Sequence, residues 1–151
     1  MSDTPWSPHV TVATVIEHEG RFLLVEEEAP EGRVFNQPAG HLDPDETLLE
    51  AALRETREET GCEVVLEGIL GIALYTSPLN GVTYHRTAFY GSLLQENPGA
   101  ALDPEIVAVH WLSPEEMLAQ SARMRSPLVI ASVEQYLAGA RWPLDVIYFQ
   151  K

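Results

Sequence analysis

From Gly40 to Cys62 the chain reads GHLDPDETLLEAALRETREETGC, and this stretch decides how the rest is organised. Asp43-Pro44-Asp45-Glu46 has turn chemistry, because proline presets one backbone angle and short acids bond to nearby backbone. Thr47, followed three residues later by Glu50, is a capping-box pattern that satisfies unpaired N–H groups at a helix start. A helix is therefore expected over residues 48–60, with Gly61 as its left-handed stop. With Glu55 set at zero on a helical wheel, Glu59 lies at about +40° and Glu58 at about −60°. Leu48, Leu49, Ala52, Leu53 and Thr56 fill the neighbouring arc and must pack on a sheet. Glu50 and Arg57 fall beyond that arc and face water.

The carboxylate spacing carries a cost. Like charges three or four residues apart destabilise a helix by roughly 0.2–0.5 kcal/mol per pair. Arg54 can pair with Glu50 or Glu58, whereas Glu55 and Glu59 have no base at helical spacing. Residue physics leaves two readings open: a solvated acidic face, or one wall of a Mg²⁺ or Mn²⁺ site built from hard oxygen ligands.

Working outward, residues 9–16 are β-branched and roughly alternating, so they read as a strand. Residues 21–27 read as its hairpin partner across the turn Glu17-His18-Glu19-Gly20. Residues 29–40 contain Pro30, Gly32, Pro38 and Gly40 and read as loop, with a short strand around Val34. Further strands are expected at 62–74, 82–94 and 106–112. Ser113-Pro114-Glu115-Glu116 is a helix start, and Ser126-Pro127 repeats the signal for a last helix ending near Leu137. Residues 1–151 are expected to form one α/β domain around a mixed sheet, with its core at about 8–148.

The composition narrows the partners. The 151 residues carry 9 basic and 23 acidic side chains, a formal charge of −14. Between Glu26 and Glu59 there are eleven acids against three bases, a local charge of −8. Such a surface repels long nucleic acid. The chain has neither a membrane-length apolar run nor a basic, apolar leader at its start. Its single cysteine, Cys62, excludes an internal disulfide. A cytoplasmic location is expected, with the protein a monomer or homodimer.

The stretch from Gly40 resembles the Nudix signature, Gly-x5-Glu-x7-Arg-Glu-U-x-Glu-Glu-x-Gly-U with U aliphatic. Gly40, Glu46, Arg54, Glu55, Glu58, Glu59 and Gly61 stand at its fixed positions. Thr56 and Cys62 depart from two aliphatic ones, which touches local packing more than chemistry. Flanking runs, among them Asn36-Gln37-Pro38-Ala39-Gly40-His41-Leu42 and Arg125-Ser126-Pro127-Leu128-Val129, resemble the bacterial NudJ-type group within the family. The resemblance implies an α/β/α sandwich and metal-assisted attack of water on phosphorus. It implies metal binding by Glu55 and Glu59 with Glu58 in support, and by the Gly40 turn through backbone carbonyls. Glu46 and Arg54 would be a structural pair steering a catalytic glutamate. Mg²⁺ is the implied cofactor, with Mn²⁺ as alternative, and the implied substrates are small phosphorylated molecules. For the NudJ-type group these are nucleoside tri- and diphosphates and the pyrimidine pyrophosphate precursor of thiamine. Other Nudix pyrophosphatase substrates, such as ADP-ribose, dinucleoside polyphosphates or oxidised nucleotides, remain alternatives, as does a non-catalytic nucleotide sensor.

The general base is open between a helix glutamate and a later loop acid. In Asp103-Pro104-Glu105, Glu105 is the loop candidate, and a plain surface acid is the bland alternative. Arg33, Arg86 and Arg125 are scarce bases that a phosphate site would want, with Arg125 preferred. His41 could touch phosphate or bond to backbone. Phe35, Tyr75 and Tyr84 could stack on a base or pyrimidine ring, though such residues are more often core or sheet packing. Cys62 reads as a buried small hydrophobe, and Trp6, Trp111 and Trp142 as packing residues.

Overall fold

The structure, a computed structural model, describes residues 3–150. In chain order it runs β1 (His9–His18), β2 (Arg21–Ala29), β3 (Gly32–Asn36), β4 (Ala39–His41) and α1 (Leu48–Thr60). Then follow β5 (Glu63–Thr76), β6 (Thr83–Gln95), β7 (Ile106–Leu112), α2 (Pro114–Ala119) and α3 (Leu128–Leu137). Helix α1 begins and ends where the sequence predicts. Thr47 and Glu50 form both bonds of the capping box, and Gly61 closes the helix at φ 72°.

The sheet is mixed. Strand β1 runs parallel to β6 from His9↔Tyr84 to Ile16↔Gly91 and antiparallel to β4 at Thr11–Ala13. The hairpin expected between β1 and β2 shrinks to two pairs, Glu17↔Phe22 and His18↔Arg21. Its cause is competition for ladder edges: β4 and β6 already occupy both sides of the middle of β1, so β2 diverges beyond the turn. Strand β2 instead carries β3 on one edge and β7 on the other. The result is a fork, with β4, β1, β6 and β5 on one arm and β3, β2 and β7 on the other.

Alternation along the strands divides the core into two layers. Val12, Ile16, Leu23, Ile69 and Phe89 pack with Ala51 and Ala52 of α1. Val15, Phe22, Leu24, Leu70 and Ala88 pack with Met117 of α2 and with Val129 and Val133 of α3. This is an α/β/α sandwich, as expected. Cys62 is buried in the first layer, and burial pushes its thiol pKa up. Thr56 fits its aliphatic position by bonding to Thr14 at 2.8 Å and to the Ala52 carbonyl at 2.7 Å.

Two expectations fail. Strand β4 was not foreseen, because three residues beside Pro38 look like loop and acquire strand character only by pairing with β1. Trp111 packs against the first layer, but Trp6 and Trp142 are exposed. Trp142 is held by its backbone, which exchanges hydrogen bonds with Ile69 at 2.8 and 3.0 Å and leaves the ring in solvent. No described helix is long and apolar enough to cross a membrane.

Candidate active site

The carboxylates of α1 open into the fork between the two arms. Gly40 on β4 lies so close that an added Cβ would sit 2.1 Å from the Glu55 carboxyl carbon. Only a glycine clears that approach. Beside it, the Ala39 N–H donates to Glu59 Oε1 at 2.8 Å. Arg54 grips Glu46 with two bonds, from Nε at 2.6 Å and Nη2 at 3.0 Å. Its Nη1 donates to Glu55 at 2.9 Å and Glu58 at 3.1 Å, and Nη2 also reaches the His41 carbonyl at 3.0 Å. The sequence pairing of Arg54 with Glu50 does not occur, since Glu50 is engaged in the helix cap.

A loop brings further acids. The Asp103 N–H donates to the Glu58 carbonyl at 3.0 Å, and the Glu105 carbonyl accepts from the Glu28 N–H at 2.9 Å. One carboxylate oxygen each from Glu55, Glu58 and Asp103 can lie within 4.8 Å of the others. The same holds for Glu59, Asp103 and Glu105. Asp103, which the sequence reading passed over for its neighbour Glu105, therefore belongs to both groups. Its signal was weak, because either acid around Pro104 could have pointed inward. Glu27 is a second omission. It is buried on β2 and continues the row Leu23, Val25, Glu27 on one face, which the period of two could have revealed.

Electrostatics follow from this crowding. Burial pushes the Glu59 pKa up to about 9, opposed by the Ala39 N–H and reinforced by Glu27, Glu55 and Asp103. Burial likewise raises Glu55 to about 7, against the pull of Arg54 and with the push of Glu58 and Asp103. Asp103 is raised by burial and by Glu105 and Glu58. Glu46 moves the other way, held below the usual range by Arg54. The cluster thus divides into a neutralised scaffold, Glu46 with Arg54, and a set of acids short of positive charge. That set suits a hard divalent cation: every side-chain donor is oxygen, and the bare Cα of Gly40 leaves room for its backbone to come close.

The remaining sequence candidates are scattered. Arg125 bonds Glu27 at 2.8 Å and so reaches the edge of the cluster. Arg33 stays paired with Glu28 at 3.1 Å on an exposed stretch and is not drawn in. His41 and Tyr84 lie together with His9, which the sequence reading did not single out: ring centroids are 5.2 Å apart for His9 and His41, and 5.8 Å for His9 and Tyr84. Phe35 is buried in the second layer, and Tyr75 pairs opposite Tyr84 in the sheet.

The sequence and the fold both recur in known proteins. Residues 6–132 match the family model described as NUDIX domain. The chain is 42% identical over 142 residues to a protein of Escherichia coli strain K12 named Phosphatase NudJ, covering 94% of this chain and 92% of that one. A solved NUDIX hydrolase from Nitrosomonas europaea superposes with TM-score 0.92 at 44% identity, covering 95% of this chain and 98% of the other. A MutT NUDIX hydrolase from Burkholderia pseudomallei, 22% identical with TM-score 0.73, shares the fold over 86% of this chain and 98% of its own.

Proposed function

The chain belongs to the NUDIX domain family and is a Nudix hydrolase, and from that premise we propose a Mg²⁺- or Mn²⁺-dependent phosphatase of nucleoside tri- and diphosphates. The pyrimidine pyrophosphate precursor of thiamine is a further substrate in this reading. The observation that carries it is the convergence of Glu55, Glu58, Glu59, Asp103 and Glu105 in one fork, with Glu55 against Gly40 in an approach that only a bare Cα allows. Similarity to a protein named a phosphatase supports release of orthophosphate.

In this reading Glu55 and Glu59 would hold the cation, with Glu58, Asp103 and the Gly40 backbone available beside them. When bound, a divalent ion would supply charge to phosphate oxygens and lower the pKa of water. Arg54, anchored on Glu46, fixes the directions of Glu55 and Glu58. Glu105 takes the proton from the attacking water as its oxygen bonds to phosphorus and the anhydride P–O bond breaks. Arg125 offers charge to the departing phosphate by exchanging Glu27 for it. His9, His41 and Tyr84 present ring faces to the base or pyrimidine. The protein acts as one domain in the cytoplasm on a freely diffusing substrate.

A panel of nucleoside di- and triphosphates and a pyrimidine pyrophosphate, assayed with Mg²⁺ for phosphate and pyrophosphate separately, tests this. Metal-dependent orthophosphate release is expected from at least one of them. Pyrophosphate as the sole inorganic product would replace the phosphatase reading with a pyrophosphatase. Tight binding by calorimetry without any turnover would make the domain a nucleotide sensor.

A further inference from the structure

Arg86 is a buried cation that the chemistry above leaves unused. It lies on β6 with 8% of its surface exposed. In a chain of charge −14, carboxylates are abundant, and Arg21, Arg33, Arg54, Arg57, Arg123 and Arg125 each pair with at least one, while exposed Arg141 bonds to backbone carbonyls in water. Arg86 makes no ion pair among the described residues. Its side-chain partners are neutral: Nη2 donates to Gln37 Oε1 at 2.6 Å and Nη1 to Ser132 Oγ at 2.9 Å. Burial lowers its pKa to about 10, which leaves it cationic at neutral pH. An unpaired buried charge is costly, so its retention calls for a role.

The partners supply one. Gln37 is 1% exposed and stands where the chain leaves β3 on one arm of the fork for β4 on the other. Its amide is doubly locked, because Nε2 also donates to the Val129 carbonyl at 2.7 Å. Each amide atom thus faces a partner of the right kind, which fixes its orientation. Ser132 in turn donates to the Leu128 carbonyl at 2.8 Å, so the guanidinium ties α3 to this crossing. Two residues further on, Ala39 donates to Glu59, and Gly40 makes the close approach to Glu55.

We propose that Arg86 is a positioning residue: by clamping Gln37 to α3 it fixes the crossing segment and so sets Glu59 and Glu55 for cation binding and turnover. Two acceptors on two different elements require the planar fork of arginine, since one lysine ammonium is a single point at the end of a flexible stem. The inference rests on the phosphohydrolase reading above and concerns how that site is held.

The decisive test is the double variant Arg86→Met/Gln37→Met. It removes the buried charge and its main acceptor together, a replacement that apolar packing often tolerates without loss of stability. A purely structural clamp would then leave the site as it was. A positioning clamp leaves a folded protein, melting near the parent, whose Mn²⁺ affinity by calorimetry falls roughly tenfold or more. Its kcat falls roughly 10- to 100-fold, with a smaller change in KM. Parent-like Mn²⁺ affinity and kcat in the folded double variant overturn the proposal. Should that variant not fold, Ser132→Ala decides. It keeps a good helix former in α3, and the proposal expects a roughly two- to tenfold loss of Mn²⁺ affinity, the worth of one hydrogen bond. Unchanged affinity there counts against it. A parent that binds Mn²⁺ but hydrolyses nothing refutes the enzymatic reading alone, and the affinity comparison still decides the clamp. A parent that binds no Mn²⁺ refutes both.

Discussion

The two helical layers of the sandwich are held by different proportions of polar bonding and apolar burial. Helix α1 is fixed at its ends, by a complete capping box and a left-handed glycine, and at its middle by the Thr14–Thr56 hydroxyl contact. Its buried side chains are small or polar: Ala51, Ala52, Thr56, Glu59 and Thr60. Helix α3 receives no side-chain bond from its cap residue; it is held through buried Val129 and Val133, with Met117 of α2 beside them, and through the Arg86–Ser132 and Gln37–Val129 hydrogen bonds. The α2–α3 layer thus adds larger buried apolar side chains to its own polar ties, among them a capping box on α2, whereas the fully buried side chains of α1 are small or polar and lean more on directional bonds. Directional bonds allow what burial alone would not: a glutamate 4% exposed, close to other acids, at the end of a helix that stays in place.

If that contrast is right, substitutions in the two layers should separate activity from stability. The largest effect is expected from Glu59→Gln, which keeps the shape and the acceptor for Ala39 while removing the charge. Turnover should fall by roughly two orders of magnitude or more. The cation-free melting temperature should hold or rise, since the parent must protonate Glu59 on folding at neutral pH and the amide need not. An active Glu59→Gln variant would break the assignment of the cluster. Next in size is Met117→Ala, expected to cost about 2–4 kcal/mol in urea unfolding, because a buried side chain leaves a cavity. Its kcat at a temperature where it is folded should match the parent. A large kcat loss there would mean that the apolar layer also tunes the site. Smallest is Thr47→Ala, which deletes the helix cap and should cost about 1 kcal/mol. An unchanged unfolding midpoint would show that α1 does not rely on its caps.

Much of α1 was legible in the sequence because its signals are local. The capping box, the glycine stop and the carboxylate spacing lie within one stretch, and the helix follows at the expected residues. The rest of the site depends on contacts that no local pattern encodes. Strand β4 exists only through pairing with β1. Asp103 turns inward because its N–H finds the Glu58 carbonyl 45 positions earlier in the chain. The expected β1–β2 hairpin opened into a fork because of two strands contributed from elsewhere. Arg86 could be noticed as a scarce base, but that its partners are Gln37 and Ser132 was invisible before the fold was known. The two exposed tryptophans mark the opposite error, since residue type alone overstates burial.

The central claim is that the fork holds acids kept short of charge until a divalent cation arrives, and melting against pH tests it most directly. Glu59 and Glu55 start from the ordinary value of 4.5 in the unfolded chain, and burial lifts them to about 9 and about 7 in the folded one. Between those values the unfolded chain binds fewer protons, so these groups make the cation-free fold lose stability as pH rises. A cation that binds the ionised carboxylates should reverse that loss. Without metal, the melting temperature of the parent should fall further between pH 5 and 9 than that of Glu59→Gln. Added Mn²⁺ should raise the parent's melting temperature, most at the alkaline end, and Glu59→Gln far less. Parallel pH profiles for the two proteins, with no response of the parent to Mn²⁺, would contradict the account.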